Sequence, residues 1–288
     1  MKKVIVLTGP TGVGKTNISI ALCKRFNGEI INADASQIYR HLNIGTAKIT
    51  NEEMQEVKHH LLDIVEPHEP FSIKDYQIIG RKLIAEIDLP FIVGGSGLYI
   101  QALITDYNLD TKPRSENQYP ELSNEELHQL LVSLDPDAAS KIHPNNRRRV
   151  LRYLEIANER GKVEANPPHP IYDALVLCFI RNRTSLYERI NLRCEEMFQN
   201  GWIEECIELR KNGVNLHQLK DIGYRLIGEY LDGNLSYKEM VEKIKQEQRH
   251  YAKRQMTWFR NKMNCTFIDL DETSIDEIIT LIESFLKS

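Results

Sequence analysis

Gly9-Pro10-Thr11-Gly12-Val13-Gly14-Lys15-Thr16 decides the fold. It fills every fixed position of G-x-x-x-x-G-K-[ST], the phosphate-cradling loop. Its flanks are those the loop needs. Lys3–Leu7 is β-branched and apolar and reads as a buried strand. Asn17–Phe26 carries Ile18, Ala21 and Leu22 at helical spacing, with Gly28 placed to close the helix. Glu29–Ala33 is the next short strand. A β-α-β order implies a parallel sheet with helices on both faces, a P-loop NTPase-like α/β core.

Further along the chain, Pro90–Val93 reads as another buried strand, ending in Gly94-Gly95-Ser96-Gly97 and followed by a helical run, Leu98–Leu103. Ala174–Ile180 and Thr266–Leu270 are later strands. Ser185–Asn200, Trp202–Lys211 and Ser236 to about Lys262 are helices, with Asn200-Gly201 and Asn212-Gly213 as stops. Between them the character changes. Asp110–Asn117 is polar, and Ser123-Asn124-Glu125-Glu126 is a capping signature that starts a helix. A small helical insertion is therefore expected over 107–142, with the core at 1–106 and 143–288. The 288 residues are 41% hydrophobic and 27% charged, which excludes a fibre or a long disordered tail. No apolar run reaches the roughly 18 residues of a membrane span, so no membrane partner is expected. The N-terminus looks like a signal peptide only superficially: its apolar run is four residues, Val4–Leu7. Five widely spaced cysteines, without a C-x-x-C pair, signal neither a disulfide frame nor zinc and point to the cytoplasm. His59-His60 is no metal pair, because adjacent side chains face apart.

The loop's glycines let several N–H groups turn inward, and the helix N-terminus adds its positive end. Lys15 would neutralise phosphate oxygens, and the Thr16 hydroxyl would meet Mg²⁺. The motif alone leaves open whether phosphate is hydrolysed, transferred or merely departs. The next strand ends in Asn32-Ala33-Asp34-Ala35-Ser36-Gln37-Ile38-Tyr39. Its C-terminal edge lies on the loop's side of the sheet, where ligands bind in open α/β folds. Asp34 either faces a substrate or caps a helix. Leu61-Leu62-Asp63 is a weak candidate for a second metal-binding carboxylate.

With these residues in hand, the chain resembles the bacterial tRNA dimethylallyltransferases (tRNA isopentenyltransferases) over nearly its full length. Besides Gly9–Thr16 and Asn32–Tyr39, the resemblance rests on Asn43–Lys48, His59–Asp63, Gly94–Tyr99, His143–Arg149, Ile222–Arg225 and Tyr251–Phe259. It implies transfer of a dimethylallyl group from dimethylallyl diphosphate to the N6 amine of the adenosine beside the anticodon. It also implies that the loop (Gly9, Thr11, Gly12, Val13, Gly14, Lys15, Thr16) and Arg193 hold the leaving diphosphate rather than ATP. Asp34 corresponds to the general base, working with Thr16. Mg²⁺ is the implied cofactor, held by Thr16 with Asp34 as a second ligand. The implied tRNA contacts are Asp34, Ala35, Ser36, Gln37 and Ser96. To these it adds Arg148, Arg149, Val150, Leu151 and Arg152, and Lys220, Asp221, Ile222, Gly223, Tyr224 and Arg225. The expected partner is a tRNA anticodon stem-loop, bound by a monomer, with the target base flipped into the site.

The net charge of −4 argues mildly against nucleic acid until it is divided. Lys141–Arg152 and Arg249–Lys262 each hold five Lys or Arg and no acid. They supply +10 and leave −14 on the rest. Arg148 with Arg152, and Arg249 with Lys253 and Arg260, share helix faces suited to phosphate-backbone contact. The chain is shorter than the family pattern around 87–89, 107–120 and 162–171; it reads either as a compact member or as lacking loop residues. Three other readings share parts of this pattern: a P-loop small-molecule kinase, a prenyltransferase acting on free adenine nucleotides, and a non-catalytic tRNA-binding protein. The kinase would need an Arg-rich lid and no basic C-terminal helix.

Overall fold

The computed structural model describes residues 1–109, 119–160 and 168–288. The polar stretch 110–117 that opens the expected insertion lies outside the described residues, as does 162–167. The chain forms two compact units: Met1–Tyr107 with His169–Ser288, and Asn108–Pro168. The second unit thus runs well past the expected end at residue 142.

In the first unit the order begins β1 (Lys3–Thr8), α1 (Lys15–Phe26), β2 (Glu29–Asn32), the single turn α2 (Asn51–Met54) and β3 (His59–His60). It continues with α3 (Ile73–Glu86), β4 (Pro90–Gly94) and α4 (Gly97–Ile104). The second unit supplies α5 (Asn124–Leu134), α6 (Pro136–Ala139) and α7 (Arg147–Arg160). The chain then returns through β5 (Asp173–Ile180), α8 (Arg183–Gln199), α9 (Trp202–Lys211), α10 (Tyr224–Leu231), α11 (Tyr237–Lys262), β6 (Thr266–Asp269) and α12 (Ile275–Lys287). The six strands form one parallel sheet in the order β3-β2-β4-β1-β5-β6. Side-chain alternation explains how both faces are covered. Ile5 and Leu7 of β1 enter one apolar cluster with Leu22, Phe91 and Phe179, while Val4 and Val6 enter another with Ile92, Ile100 and Phe259.

The expected strands and long helices all form. Helix α1 starts at Lys15, inside the motif. At its end Asn27 takes the left-handed conformation (φ 52°), and the Gly28 N–H donates to Cys23 O. Gly28 is needed instead because Phe91 leaves no room for a Cβ. Ser123 forms the expected capping box with Glu126. A third apolar cluster, away from the sheet, gathers Met197, Trp202, Tyr224 and Ile244 from α8 to α11 with Leu42 from the segment between β2 and α2. In the second unit α5 and α7 share a small core of Leu127, Leu131, Ala139, Ile142, Val150 and Leu154.

Candidate active site

The phosphate loop leaves β1 with Gly9 at φ 144°, where a Cβ would stand 2.5 Å from Phe179 O. Only glycine fits that approach to β5. Gly12 and Gly14 also have positive φ, and the loop closes into the first turn of α1. The Lys15 ammonium lies against the Gly9 and Pro10 carbonyls, both at 2.9 Å. Burial lowers its pKa to about 8, although Asp34 pulls the other way and Arg193 adds to the depression. Arg193 projects from α8 beside Thr11. Burial holds its guanidinium below the usual arginine value, against the opposing pull of Asp34. Among the described residues it makes no hydrogen bond or ion pair. A half-buried Arg near Lys15, without a partner among the described residues, is the arrangement an anion site needs.

Asp34 shares a cleft with Lys15. Lys15, Thr16, Ser19, Asn32, Asp34 and Gln37 all line it. The chain after β2 is fixed to β4: Ala33 N–H donates to Val93 O (2.8 Å) and Ser96 N–H to Ala33 O (3.0 Å). The Ala35 N–H donates to Ser96 Oγ at 3.0 Å. Asp34 Oδ1 accepts the Ser36 N–H at 2.9 Å, a local turn rather than a helix cap. Its Oδ2 accepts nothing among the described residues. The Ser36 hydroxyl donates to Asp221, whose carboxyl is pushed up by burial and by neighbouring Asp34, with the Ser36 hydrogen bond acting in the opposite direction. Tyr39, Tyr99 and Tyr251 stand around this carboxylate pair, their hydroxyls raised chiefly by burial.

Gln255 escaped the sequence reading, although it lies within Tyr251–Phe259. Its buried amide accepts the Thr11 N–H (2.9 Å) and donates to Gly95 O (2.9 Å), tying the phosphate loop to the loop after β4. One turn earlier, Tyr251 hydrogen-bonds Ser96. Two stretches of the expected tRNA contacts include side chains turned to a core. Val150 is fully buried in the second unit's core, and Leu151 packs against that core partly buried. Tyr224 is also fully buried, donating to Glu205 at 2.7 Å, and Gly223 packs under Trp202. Arg147, counted in the basic segment, instead donates to Leu122 O (2.6 Å) and Tyr119 O (2.8 Å). Arg148, Arg149, Lys220 and Arg225 are exposed, and Arg152 pairs with Glu155. Asp63 is no metal carboxylate: it pairs with Lys48 at 2.5 Å.

A phosphate loop on a parallel sheet, with Lys15 and the Asp34 carboxylate lining one cleft and Arg193 beside the loop at Thr11, is the arrangement expected of an anion-binding α/β protein suited to group transfer. The family pattern described as IPP transferase matches residues 37–262, and the one described as isopentenyl transferase matches residues 2–69. The chain is 42% identical to a tRNA dimethylallyltransferase of Halalkalibacterium halodurans, over 99% of this chain and 96% of that one. It is 45% identical to one of Anoxybacillus flavithermus, over 96% and 93%. Its fold is similar to the crystal structure of a full-length tRNA isopentenylpyrophosphate transferase from Bacillus halodurans (TM-score 0.77, 41% identity, 100% and 97% covered). It is also similar to a eukaryotic dimethylallyltransferase acting on tRNA (TM-score 0.85, 27% identity, 100% and 80% covered). The chain belongs to the IPP transferase family of prenyl-transferring enzymes, which sets aside the kinase and non-catalytic readings.

Proposed function

We propose that the protein transfers the dimethylallyl group of dimethylallyl diphosphate to the N6 amine of the adenosine beside a tRNA anticodon. The observation that carries this is the cleft that Lys15, Thr16 and Asp34 line together. An adenine amine is a weak nucleophile because its lone pair is delocalised into the ring. Asp34 Oδ2 accepts an amine proton as nitrogen attacks the allylic carbon. The carbon–oxygen bond breaks and its electron pair leaves with the diphosphate. Lys15, Arg193 and the loop N–H groups stabilise that charge.

Mg²⁺ suits the residues present. No cluster of three His, Cys, Asp or Glu that could cage a metal exists among the described residues. Mg²⁺ usually takes one or two protein ligands and fills its sphere with substrate phosphates and water. Thr16, exposed at the start of α1, would supply one such ligand, with Asp34 in the same cleft as a second. When bound, the ion would neutralise diphosphate charge.

Arg148, Arg149, Lys220 and Arg225 are the exposed cations that would hold the anticodon stem-loop. Tyr39, Tyr99 and Tyr251 offer faces on which a flipped base could stack. The cleft is complete within one chain, which supports action as a monomer. All five cysteines are free, and among the described residues no helix is long and apolar enough to cross a membrane; both fit a reducing cytoplasm. Radiolabelled dimethylallyl diphosphate, Mg²⁺ and unmodified tRNA test the reading: label enters tRNA. Label entering free AMP or ADP instead, with tRNA untouched, would favour the free-nucleotide prenyltransferase.

A further inference from the structure

We infer that Arg181 and Arg189 are positioning residues that hold the phosphate loop in its anion-binding shape from outside; the inference rests on the diphosphate reading of that loop. A trans peptide sets its C=O and the following N–H antiparallel. Fixing a loop carbonyl outward therefore aims the next N–H inward. Arg189 Nε donates to Gly12 O at 3.0 Å, which orients the Val13 N–H. Arg181 Nε donates to Val13 O at 3.0 Å, which orients the Gly14 N–H. The Val13 N–H has only a long 3.4 Å contact with Pro10 O to hold it otherwise.

The two arginines reach consecutive peptides from different elements. Arg181 follows β5, and Arg189 lies in the second turn of α8. Both guanidinium groups come within 4 Å of where a Gly14 Cβ would stand. Arg181 is itself anchored on the sheet's edge, donating to Asp271 and to Leu270 O after β6. Asp271 also accepts the Asn182 N–H at 3.1 Å, so the chain leaving β5 and the chain leaving β6 are joined at this point. The loop is thus gripped from outside by β5, β6 and α8, while Gln255 grips it at Thr11. Neither arginine needs to touch the phosphates to set how well the loop receives them.

The test measures KM for dimethylallyl diphosphate and for tRNA, with equilibrium binding of inorganic diphosphate, in wild type, Arg181→Ala, Arg189→Ala and Arg189→Lys. Arg183→Ala is the control for loss of a nearby charge, since that guanidinium lies over the Tyr187 ring, 5.2 Å from its centroid. Each alanine variant should raise the diphosphate constants about tenfold and leave KM for tRNA within about twofold, with Arg189→Lys between. If Arg181→Ala does not fold, Asp271→Asn replaces it, because it frees Arg181 at constant volume. Unchanged diphosphate constants in folded variants, or an equal loss in Arg183→Ala, overturn the inference. So does a diphosphate complex in which Arg189 Nε has left Gly12 O for a phosphate oxygen. Failure of wild type to bind diphosphate would instead overturn the diphosphate reading itself.

Discussion

Lys15 gives the site its pH signature. Burial lowers its pKa to about 8 from 10.5. Between those values the unfolded chain holds a proton that the folded protein has lost. Stability therefore rises with pH through that window, and below it the buried charge carries a constant cost. Activity runs the other way. The free enzyme loses its diphosphate-binding cation above about pH 8, so kcat/KM for dimethylallyl diphosphate should fall there. Bound diphosphate restores the proton, so kcat should hold to higher pH. A Lys15→Arg variant that keeps the same break near pH 8 would remove Lys15 as its origin. Asp34 separates from Lys15 in the opposite kinetic term. Asp34→Asn should lower single-turnover transfer on the order of 10²-fold while tRNA affinity stays nearly intact. A large affinity loss with normal turnover would recast Asp34 as a binding residue.

At the scale of elements, the third apolar cluster sets the segment that carries Gln37, Ala47 and Ile49 to the cleft wall. Glu205 on α9 accepts the Asn43, Ile44 and Gly45 N–H groups at 2.9, 2.7 and 3.3 Å. Gln37 donates to Thr46 O and Ala47 O, both at 3.1 Å. Gly45 lies so close to Trp202 and Tyr224 that any Cβ would collide with the indole. Gly45→Ala should cost roughly 1–3 kcal/mol in urea unfolding, and Trp202→Phe in the same chain should recover part of it. Additive losses would show that the two do not touch. This arrangement explains what a sequence can display. The strands and the phosphate loop were legible because period-two burial and the glycine spacing are local signals. Strand β3 was not: two residues, His59 and His60, become a strand only by lying beside Ile30 and Ile31. The burial of Val150 and Tyr224, which the resemblance groups with tRNA contacts, was not legible for a related reason. A basic or polar neighbourhood in sequence says nothing of which face a helix turns to its core. Arg181, Arg189 and Gln255 were invisible because each acts on a backbone atom 160 or more positions away.

For the molecule as a whole, the decisive quantity is how its charge is divided. The total of −4 hides +10 in Lys141–Arg152 and Arg249–Lys262, but those ten cations do different work. Arg147 is spent inside the second unit on Leu122 O and Tyr119 O, and Arg152 on Glu155. Arg249 donates to Asn191 at 2.6 Å. Lys141, Arg148, Arg149, Lys253, Arg254, Arg260 and Lys262 remain exposed. Only exposed cations release counterions when they meet a phosphate backbone. The affinity for tRNA should therefore fall linearly on a log–log plot against salt. Arg148→Ala and Lys253→Ala should each reduce that slope by about 0.7–0.9 without lowering thermal stability. Arg147→Ala should do the reverse: it removes the guanidinium donor to Leu122 O and Tyr119 O, costs about 1–3 kcal/mol of stability and barely alters the slope. If Arg147→Ala flattened the salt dependence as strongly as Arg148→Ala in a folded protein, this division of labour would be wrong, and the whole of Lys141–Arg152 would have to face the tRNA.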